Sequence, residues 1–301
     1  MDAVTKLDLK VLVITDKSQV FSEYFPEKVI TINFEQWQES IENFRAWSVK
    51  FDLKAVIGVD EESIILAANL SEFLGIKHNS LESVKQTKDK YLMRKALKDS
   101  GLKSLWFKRF SVNETPKDIV TEISFPCVLK PTFLSASQGV IRADNVSEFC
   151  ISFEILSGLL SQEEMKIQGG DQANWILVEE YISGKEVSIE GIVNEGKLKE
   201  LAIFDKPEPL EGPTFPETIF ITPALLSEQL QISLLETAQT ALEALGIIKG
   251  PVHVELRINK NGNFILECAA RSIGGLCSKV LEFEGGMSLE ELILRSALGR
   301  N

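Results

Sequence analysis

Two glutamates near the C-terminal end of the sequence lie on neighbouring predicted strands. Residues 252–258 and 264–268 have the apolar or alternating pattern of strands, and the Asn-Lys-Asn-Gly sequence between them is typical of a tight hairpin. Glu255 lies on the first strand and Glu267 on the second. Two carboxylates on paired, buried strands repel one another unless a positive group lies between them. The pair therefore predicts a site for Mg²⁺, which takes one or two carboxylates together with phosphate oxygens.

Further residues beside this hairpin favour a ligand site. Arg271 follows Glu267 by four residues, and Gly274 and Gly275 then let the backbone turn closely around a ligand. The alternative is an edge hairpin whose glutamates are solvated. For Glu255 alone the two interpretations are equally good, whereas the whole cluster favours the ligand site.

A single lysine lies in the apolar segment at residues 125–131, which has the pattern of a buried strand. An unpaired ammonium group there costs desolvation energy, so Lys130 is interpreted as a phosphate contact. The following residues, 132–140, are mostly small and polar and include Gly139, and backbone N–H groups in such a loop can surround phosphate oxygens. The sequence contains no GxxxxGK[ST] motif, and no GxGxxG follows a strand, so neither a Walker A loop nor a dinucleotide dehydrogenase is indicated.

The segment VEEYISGKE, residues 178–186, joins two predicted strands at residues 175–181 and 186–193. Its backbone could pair with adenine, and Glu186 could accept hydrogen bonds from ribose hydroxyls. A plain β-hairpin with charged rims explains the same residues equally well.

Lysine and arginine are concentrated between residues 85 and 109, where the acidic residues are Asp89 and Asp99. Most of these cations are explained as solvated helix faces. A basic segment within an acidic chain is also a reasonable phosphate-facing surface.

The first part of the chain alternates short strands with helices. Strands are predicted at residues 10–15, 29–34 and 53–59, and helices at residues 35–51 and 63–74. The first of these helices carries a predicted core stripe of Trp37, Ile41, Phe44 and Trp47. This order indicates an open α/β layer whose ligands bind where strands end, here at residues 58–62 and 78–80. His78 itself is better explained as a polar loop residue than as a substrate contact.

The remaining elements follow from periodicity and helix-end signals. Helices are predicted at residues 147–160, 225–245 and 288–298, the last with Ser288 as N-cap, and a strand is predicted at residues 197–204. Residues 161–175 are polar and contain glycine, which predicts a loop. The proline-rich residues 205–216 predict a second loop, whose length is typical of a substrate loop or lid.

Composition excludes several classes of protein. A chain of 301 residues suits two or three packed units, and its net charge of −12 argues against a general nucleic-acid binder. No apolar stretch approaches the about 20 residues of a membrane span, and the N-terminus lacks the pattern of a signal peptide. The four cysteines have no metal-type spacing, and two histidines exclude a histidine-rich metal site. The expected setting is reducing and cytoplasmic.

Five segments, taken in order, resemble the ATP-grasp superfamily. They are DKYLMRKAL (89–97), PCVLKP (126–131), SASQGV (135–140), VEEYISGKE (178–186) and HVELRINKNGNFILECAARSIGG (253–275). Each segment is a weak signal alone, but their order and spacing match from about residue 88 to the end of the sequence. The phrases LAIFDKPEPLEGP and ECAARSIGG further resemble carboxylate–amine ligases of the L-amino-acid ligase and carnosine-synthase-like kind.

The resemblance implies roles for particular residues. For ATP it implies the phosphate-binding Lys90 and Lys130, the flap residues Ser135, Ser137 and Gly139, the adenine-binding Glu179, Glu180 and Ile182, and the ribose-binding Glu186. For Mg²⁺ it implies Glu255 and Glu267, and for the transferred phosphate or the substrate carboxylate it implies Arg271. Arg271 and Lys130 are thereby implied as catalytic.

Two departures from the family pattern affect what is expected. Many members have Asn two residues after the second metal-binding glutamate, where this sequence has Ala269, so a second Mg²⁺ is less firmly implied. Some amino-acid ligases share the Ala-Ala-Arg pattern. Larger amino-acid ligases also continue well beyond this point with a further C-terminal domain, so we expect either a compact member or an incomplete active-site wall.

The predicted fold is α/β with α+β subdomains. It comprises an N-terminal open parallel α/β domain (residues 1–86), a small ATP-grasp subdomain with the lysines and the flap (87–178), and a C-terminal subdomain with the adenine hinge and the carboxylates (179–301). The two subdomains are expected to clamp the nucleotide.

The implied activity is that of an ATP-dependent ligase that activates a carboxylate, foremost an amino acid, as an acylphosphate and joins it to an amine. The alternatives are carboxylation or phosphoryl transfer on the same fold, or a non-catalytic ATP-binding module of a larger synthetase. Small-molecule carboxylate and amine substrates are expected, with neither nucleic acid nor a membrane as partner, and a homodimer stays an open alternative to a monomer.

Overall fold

A computed structural model of the chain describes residues 2–16, 29–34, 36–208, 210–216 and 219–300. For residues 42 and 43 it describes the backbone only. Within these residues the elements form an N-terminal layer followed by two larger antiparallel sheets, each covered by helices. None of the helices described is long and apolar enough to cross a membrane.

The N-terminal layer contains a short parallel sheet packed on helices. Its elements are α1 (Asp2–Lys6), β1 (Val13–Thr15), β2 (Val29–Thr31), α2 (Ile41–Phe51), α3 (Ser63–Leu74), α4 (Leu81–Lys88) and α5 (Lys90–Lys98). Of the predicted core stripe, Phe44 lies in the core with Leu70, and Trp37 and Trp47 pack against that core, whereas Ile41 is only half-buried. The helix predicted at residues 35–51 begins at Ile41, so Trp37 lies in the preceding 3₁₀ turn, and position 35 lies outside the described residues.

The strand predicted at residues 53–59 is wrong, because this segment forms no strand. The segment lies against α3, where a Cβ atom on Gly58 would stand 2.7 Å from the Cα atom of Ile64. Val56 packs against the apolar core of the layer. The apolar run therefore reflects burial against a helix rather than pairing within a sheet.

The small sheet has the strand order β3-β6-β4-β5. Its elements are β3 (Phe107–Ser111), α6 (Pro116–Ile119), β4 (Cys127–Pro131), β5 (Ile141–Ala143), α7 (Val146–Leu160), α8 (Glu163–Gly169) and β6 (Trp175–Glu180). All neighbouring strands are antiparallel, and Phe110, Leu129 and Phe153 belong to the core beneath them. This sheet presents Lys130 at the end of β4.

The loop predicted at residues 161–175 is wrong for most of its length. The structure has α8 there, followed by a 3₁₀ turn at Gly170–Asn174. Glu163 and Glu164 lie in the first turn of α8, where acidic side chains complement the helix dipole. Gly170, with φ of 51°, follows its last residue. Polar composition concealed this helix because much of it is exposed.

The large sheet has the strand order β10-β9-β7-β8. Its elements are β7 (Lys185–Asn194), β8 (Lys197–Lys206), α9 (Glu228–Ala244), β9 (Lys249–Asn259) and β10 (Gly262–Ala269), followed by α10 (Cys277–Val280), β11 (Glu282–Phe283), β12 (Met287–Ser288) and α11 (Leu289–Ala297). One face packs on α9 through residues such as Ile189, Val254 and Ala238. The predicted N-cap is confirmed, since the Ser288 side chain accepts a hydrogen bond from the Glu291 N–H.

Candidate active site

The opposite face of the large sheet is polar because side chains alternate along each strand. The alternating polar residues are Glu186, Ser188 and Glu190 on β7, and His253, Glu255 and Arg257 on β9. Strand pairing sets Glu186 opposite Arg257 and Glu190 opposite His253. This face and the small sheet border a cavity of about 110 Å³.

A β-bulge brings the two predicted metal ligands together. Starting at the hairpin turn, β10 pairs regularly with β9 as far as Ile265, which lies opposite Leu256. The next pair is Glu267 with Glu255. Leu266 is therefore the extra residue, and the bulge turns Glu267 to the same face as Glu255. The expectation that these two carboxylates lie side by side is confirmed.

Both of these carboxylates have cationic partners. Glu255 Oε1 lies 2.7 Å from Lys206 Nζ and 3.4 Å from His253 Nε2, and Glu267 Oε1 lies 3.2 Å from Lys90 Nζ. Burial on its own would raise the pKa of Glu255, but Lys206 and His253 outweigh it and hold that pKa well below its usual range. Glu255 is therefore ionised, which a metal ligand must be.

Lys206, which the sequence analysis did not single out, lies between two site carboxylates. Its Nζ donates to Glu186 at 2.8 Å and to Glu255 at 2.7 Å. Burial would lower the pKa of this lysine, but the two carboxylates outweigh burial and raise it. The ammonium group therefore stays charged inside the cavity.

Lys130 belongs to a buried group of three charges with Glu179 and Arg94. Arg94 donates from Nε and Nη2 to the two oxygens of Glu179, at 2.8 and 3.2 Å, and Lys130 forms a further ion pair with Glu179. Burial would raise the pKa of Glu179, but Arg94 and Lys130 outweigh it and lower the pKa to about 2. The Glu179 carboxylate, which the resemblance implied as an adenine contact, is thus bound to these two cations. It holds the ammonium group of Lys130 at the cavity.

The predicted adenine hinge runs along one wall of the cavity. Glu180, Tyr181 and Ile182 all line it, and the Ile182 carbonyl oxygen accepts from Arg257 Nη1 at 2.7 Å. Glu186, the predicted ribose contact, also lines the cavity and accepts from Arg257 Nε at 2.9 Å. These positions fit the predicted roles, which stay predictions.

The predicted flap is a strained turn beside Lys90. Ala136 and Ser137 both have positive φ, 52° and 56°, which is uncommon for residues other than glycine, and both line the cavity. Lys90 Nζ donates to the Leu134 carbonyl oxygen just before the turn, at 2.7 Å. Ser135 and Gly139 lie at either end of this turn, and Gly139 has φ of 69°.

The loop predicted at residues 205–216 begins later in the structure, because Asp205 and Lys206 still belong to β8 and pair with β7. Its described residues, 207, 208 and 210–216, contact both sheets. Leu210 and Phe215 line the cavity, and the Leu210 carbonyl oxygen accepts from Arg257 Nη2 at 2.7 Å on the large sheet. On the small sheet, Arg142 donates to the Glu211 carbonyl oxygen at 2.6 Å. The loop therefore covers one side of the cavity, and its role as a lid stays a prediction.

Arg271 also lines the cavity, and its partner comes from the N-terminal layer. Arg271 Nε donates to Glu61 Oε1 at 2.6 Å. Burial raises the pKa of Glu61, and Arg271 opposes that effect. Glu61 lies in the segment 58–62 that the sequence analysis assigned to the ligand edge. His78 instead contacts the Ile76 carbonyl oxygen at 2.8 Å and lines a separate cavity.

Sequence reasoning missed five further charged residues around the site. They are Arg94, Glu190, Lys206, His253 and Arg257. The alternation in EVSIE (186–190) and HVELR (253–257) could have identified the members on β7 and β9, because it puts charges on a strand whose other face is apolar. Arg94 gave no local signal, since its partners lie far away in the sequence.

The site fits Mg²⁺ held together with a nucleotide. In the described part of the chain no group of three His, Cys, Asp or Glu side chains is arranged to hold a metal ion alone. Two adjacent carboxylates leave the remaining coordination positions to phosphate oxygens, as Mg²⁺ prefers.

The fold and motifs have counterparts among known proteins. Residues 123–280 match the family profile described as ATP-grasp domain. Alanine–anticapsin ligase of Bacillus subtilis (strain 168) is 28% identical over 271 residues, which span 85% of this chain and 56% of that ligase. D-Alanine–D-alanine ligase of Flavobacterium johnsoniae is 27% identical over 264 residues, which span 81% of this chain and 75% of that ligase.

Among solved structures, L-amino acid ligase from Bacillus licheniformis is similar with a TM-score of 0.81 and 26% identity, over 99% of this chain and 71% of that one. The chain thus spans only 56% of the length of alanine–anticapsin ligase, and about three quarters of the other two ligases. These similarities confirm the fold expected from the five segments. Since the family profile matches more than half of its residues, the chain belongs to the ATP-grasp family.

Proposed function

We propose that this chain carries the catalytic site of an ATP-dependent carboxylate–amine ligase. The observation that carries the proposal is the convergence of Lys90, Lys130, Lys206 and Arg271 on one cavity that also contains the Glu255–Glu267 pair. Phosphoryl transfer needs charge neutralisation and in-line positioning more than acid–base groups, and this set of residues supplies both. We also propose a cytoplasmic setting, because the reaction consumes ATP.

The lysines of the cavity bind the phosphates of ATP. Each of these lysines is paired with a carboxylate, and these ion pairs keep the ammonium groups charged and at the cavity. The turn with Ala136 and Ser137 closes over the phosphates, and the hinge from Glu180 to Ile182 receives the adenine. Because these cations are already gathered in the cavity, only short side-chain movements are needed for them to stabilise the transferring phosphoryl group.

Glu255 and Glu267 would hold Mg²⁺ beside the phosphates of the nucleotide. When bound, the ion neutralises negative charge on the phosphates and fixes their orientation. Because His253 and Lys206 already contact Glu255, they orient this carboxylate. The proposal requires the ammonium group of Lys206 to move from Glu255 to a phosphate when the nucleotide binds.

Arg271 positions the substrate carboxylate in line with the γ-phosphoryl group. A carboxylate oxygen attacks phosphorus, the bond to the bridging oxygen breaks, and ADP leaves with an acylphosphate as the other product. The amine then attacks the acyl carbon, the C–O bond to phosphate breaks, and the products are an amide, phosphate and a proton. Arg271 stabilises the negative charge that develops on the reacting groups.

The similar proteins support this reaction over the alternatives. Two of them are named as ligases that join alanine to a second molecule, and the third as an L-amino acid ligase. Carboxylation, phosphoryl transfer and a non-catalytic ATP-binding module stay as the alternatives that the following experiment separates.

The experiment is hydroxamate formation from pooled amino acids and small carboxylic acids, with ATP, Mg²⁺ and hydroxylamine. Hydroxylamine intercepts an acylphosphate whatever the natural amine is. We expect a product that Glu267→Ala abolishes and that a matched control, Glu284→Ala in an exposed turn, preserves. No hydroxamate from any pool, while ATP still protects the protein against heat, would favour a binding module.

A further inference from the structure

The partner of Arg271 is held by a well-fixed loop. Asp60 Oδ1 accepts a hydrogen bond from the Ser63 N–H at 2.8 Å, at the start of α3. Gln168 Nε2, on α8, donates a hydrogen bond to Glu62 at 3.3 Å. Glu61 lies between these two attachments and projects to Arg271. The loop that carries Glu61 is therefore held by contacts other than the ion pair with Arg271, which itself lines the cavity.

The ion pair is largely shielded from water. The side chains of Arg271 and Glu61 are 17% and 14% exposed. A buried ion pair is tolerable because the two charges compensate one another, whereas removing one partner leaves an uncompensated charge. In the proposed reaction Arg271 must turn to the substrate carboxylate, which takes it away from Glu61.

We infer that Glu61 is a specificity-determining residue that binds the ammonium group of an amino-acid substrate while Arg271 binds its carboxylate. This inference rests on the proposed ligase function and names the acid half of the reaction. The substrate inserts into the Arg271–Glu61 pair, and two new ion pairs replace the original one. The opposite charges of a zwitterion match the two ends of the opened pair.

Charge balance favours a zwitterion over a simple carboxylic acid. In the structure the Arg271 guanidinium group compensates the largely buried Glu61 carboxylate. A substrate without an ammonium group adds one negative charge, takes up Arg271 and leaves Glu61 without that compensation. The ammonium group of an amino acid replaces Arg271 as the cation at Glu61.

The test compares matched pairs of acids in binding and in activation. The pairs are L-alanine with propanoate, L-leucine with 4-methylpentanoate, and L-phenylalanine with 3-phenylpropanoate. Affinities are measured by calorimetry with Mg²⁺ and a non-hydrolysable ATP analogue, and hydroxamate formation is measured with ATP. The variants are Glu61→Gln and, as matched control on the same loop, Glu62→Gln, whose exposed side chain contacts Gln168.

We expect the wild type to prefer at least one amino acid over its des-amino partner, and Glu61→Gln to reduce that preference on the order of 10- to 100-fold, because a charged hydrogen bond is lost. The des-amino acid should bind Glu61→Gln as well as it binds the wild type, or better. Glu62→Gln should keep the wild-type preference. If Glu61 only held the loop in place, Glu61→Gln would weaken the binding of the amino acid and of the des-amino acid equally. That result overturns the inference.

The outcomes separate this inference from the proposed function. Amino acids that bind through Glu61 without forming hydroxamate contradict the ligase and support the role of Glu61. Hydroxamate formed equally well from amino acids and des-amino acids supports the ligase and overturns the role of Glu61. If the wild type binds none of the acids in the three pairs, that result also contradicts the proposed binding of a substrate ammonium group by Glu61.

Discussion

Replacing Glu179 with Gln should lower the free energy of unfolding at neutral pH. The Glu179 carboxylate is 3% exposed and lies between Arg94 and Lys130. The carboxyl pKa falls from 4.5 to about 2 in the folded protein. Because each pKa unit corresponds to about 1.4 kcal/mol, the ionised group stabilises the fold by roughly 3 kcal/mol relative to its protonated form.

The sign of the pH dependence follows from the lowered pKa. A carboxyl group whose pKa is lower in the folded than in the unfolded protein contributes its full stabilisation above about pH 5, and loses it as the pH falls towards 2. The difference in unfolding free energy between wild type and Glu179→Gln should therefore be roughly 3 kcal/mol at pH 7. It should narrow steadily below pH 5.

The assay is urea denaturation of both proteins between pH 3 and pH 7, with Glu180→Gln as the control. Glu180 is the exposed neighbour on the same strand, so its replacement tests for a general effect of removing a charge there. A wild-type advantage that stays constant across this pH range, or a Glu179→Gln variant as stable as the control, would refute the assignment of Glu179 as the anchor of the two cations.

Three further predictions concern the same site and the core. Lys206→Met should reduce ATP turnover on the order of 10- to 100-fold, because one of the phosphate-binding cations is lost, whereas Lys199→Met at an exposed position of the same strand should not. Mg²⁺ alone should leave the melting temperature unchanged but should raise it with a nucleotide, since no three-residue metal site is formed by the described residues. In a thiol titration of the native protein Cys127 and Cys268 should react more slowly than the other cysteines, because burial raises the pKa of both thiols to about 12.

The hairpin shows what local sequence can and cannot predict. The Asn-Lys-Asn-Gly turn and the two apolar strands predicted the pairing of β9 with β10, which is confirmed. A regular register from that turn would set Leu266 opposite Glu255 and would turn Glu267 towards the apolar core. The bulge between Ile265 and Glu267 shifts the register by one residue, so that Glu267 lies opposite Glu255. A bulge leaves no periodic signal in the sequence.

Long-range ion pairs were the main part of the site that sequence reasoning could not reach. Lys130 was predictable because a single lysine on an apolar strand requires an anion. Its partner Glu179 was predicted from the family resemblance in a different role, and Arg94 was hidden among the lysines of a basic helix. Glu61 likewise lies 210 positions from Arg271, so only the fold reveals that the two side chains meet.

In the N-terminal layer, the strand prediction at residues 53–59 was wrong for a different reason. Residues 53–59 have the composition of a strand, but a strand also needs a neighbour with which to form backbone hydrogen bonds. Burial against α3 satisfies the apolar side chains of this segment without such a neighbour. Composition reports burial more directly than it reports pairing, so this element was predicted as the wrong type.

The most direct test of the proposed ligase is the fate of the substrate carboxylate oxygens. Amino acids labelled with ¹⁸O in both carboxylate oxygens are incubated with the protein, ATP, Mg²⁺ and a pool of amines, and the released phosphate is analysed by mass spectrometry. Activation through an acylphosphate predicts one ¹⁸O atom in each phosphate released with product, because the attacking carboxylate oxygen leaves with phosphorus. Phosphate released without label would show that water, and not a carboxylate, accepts the phosphoryl group, which would contradict the proposed function.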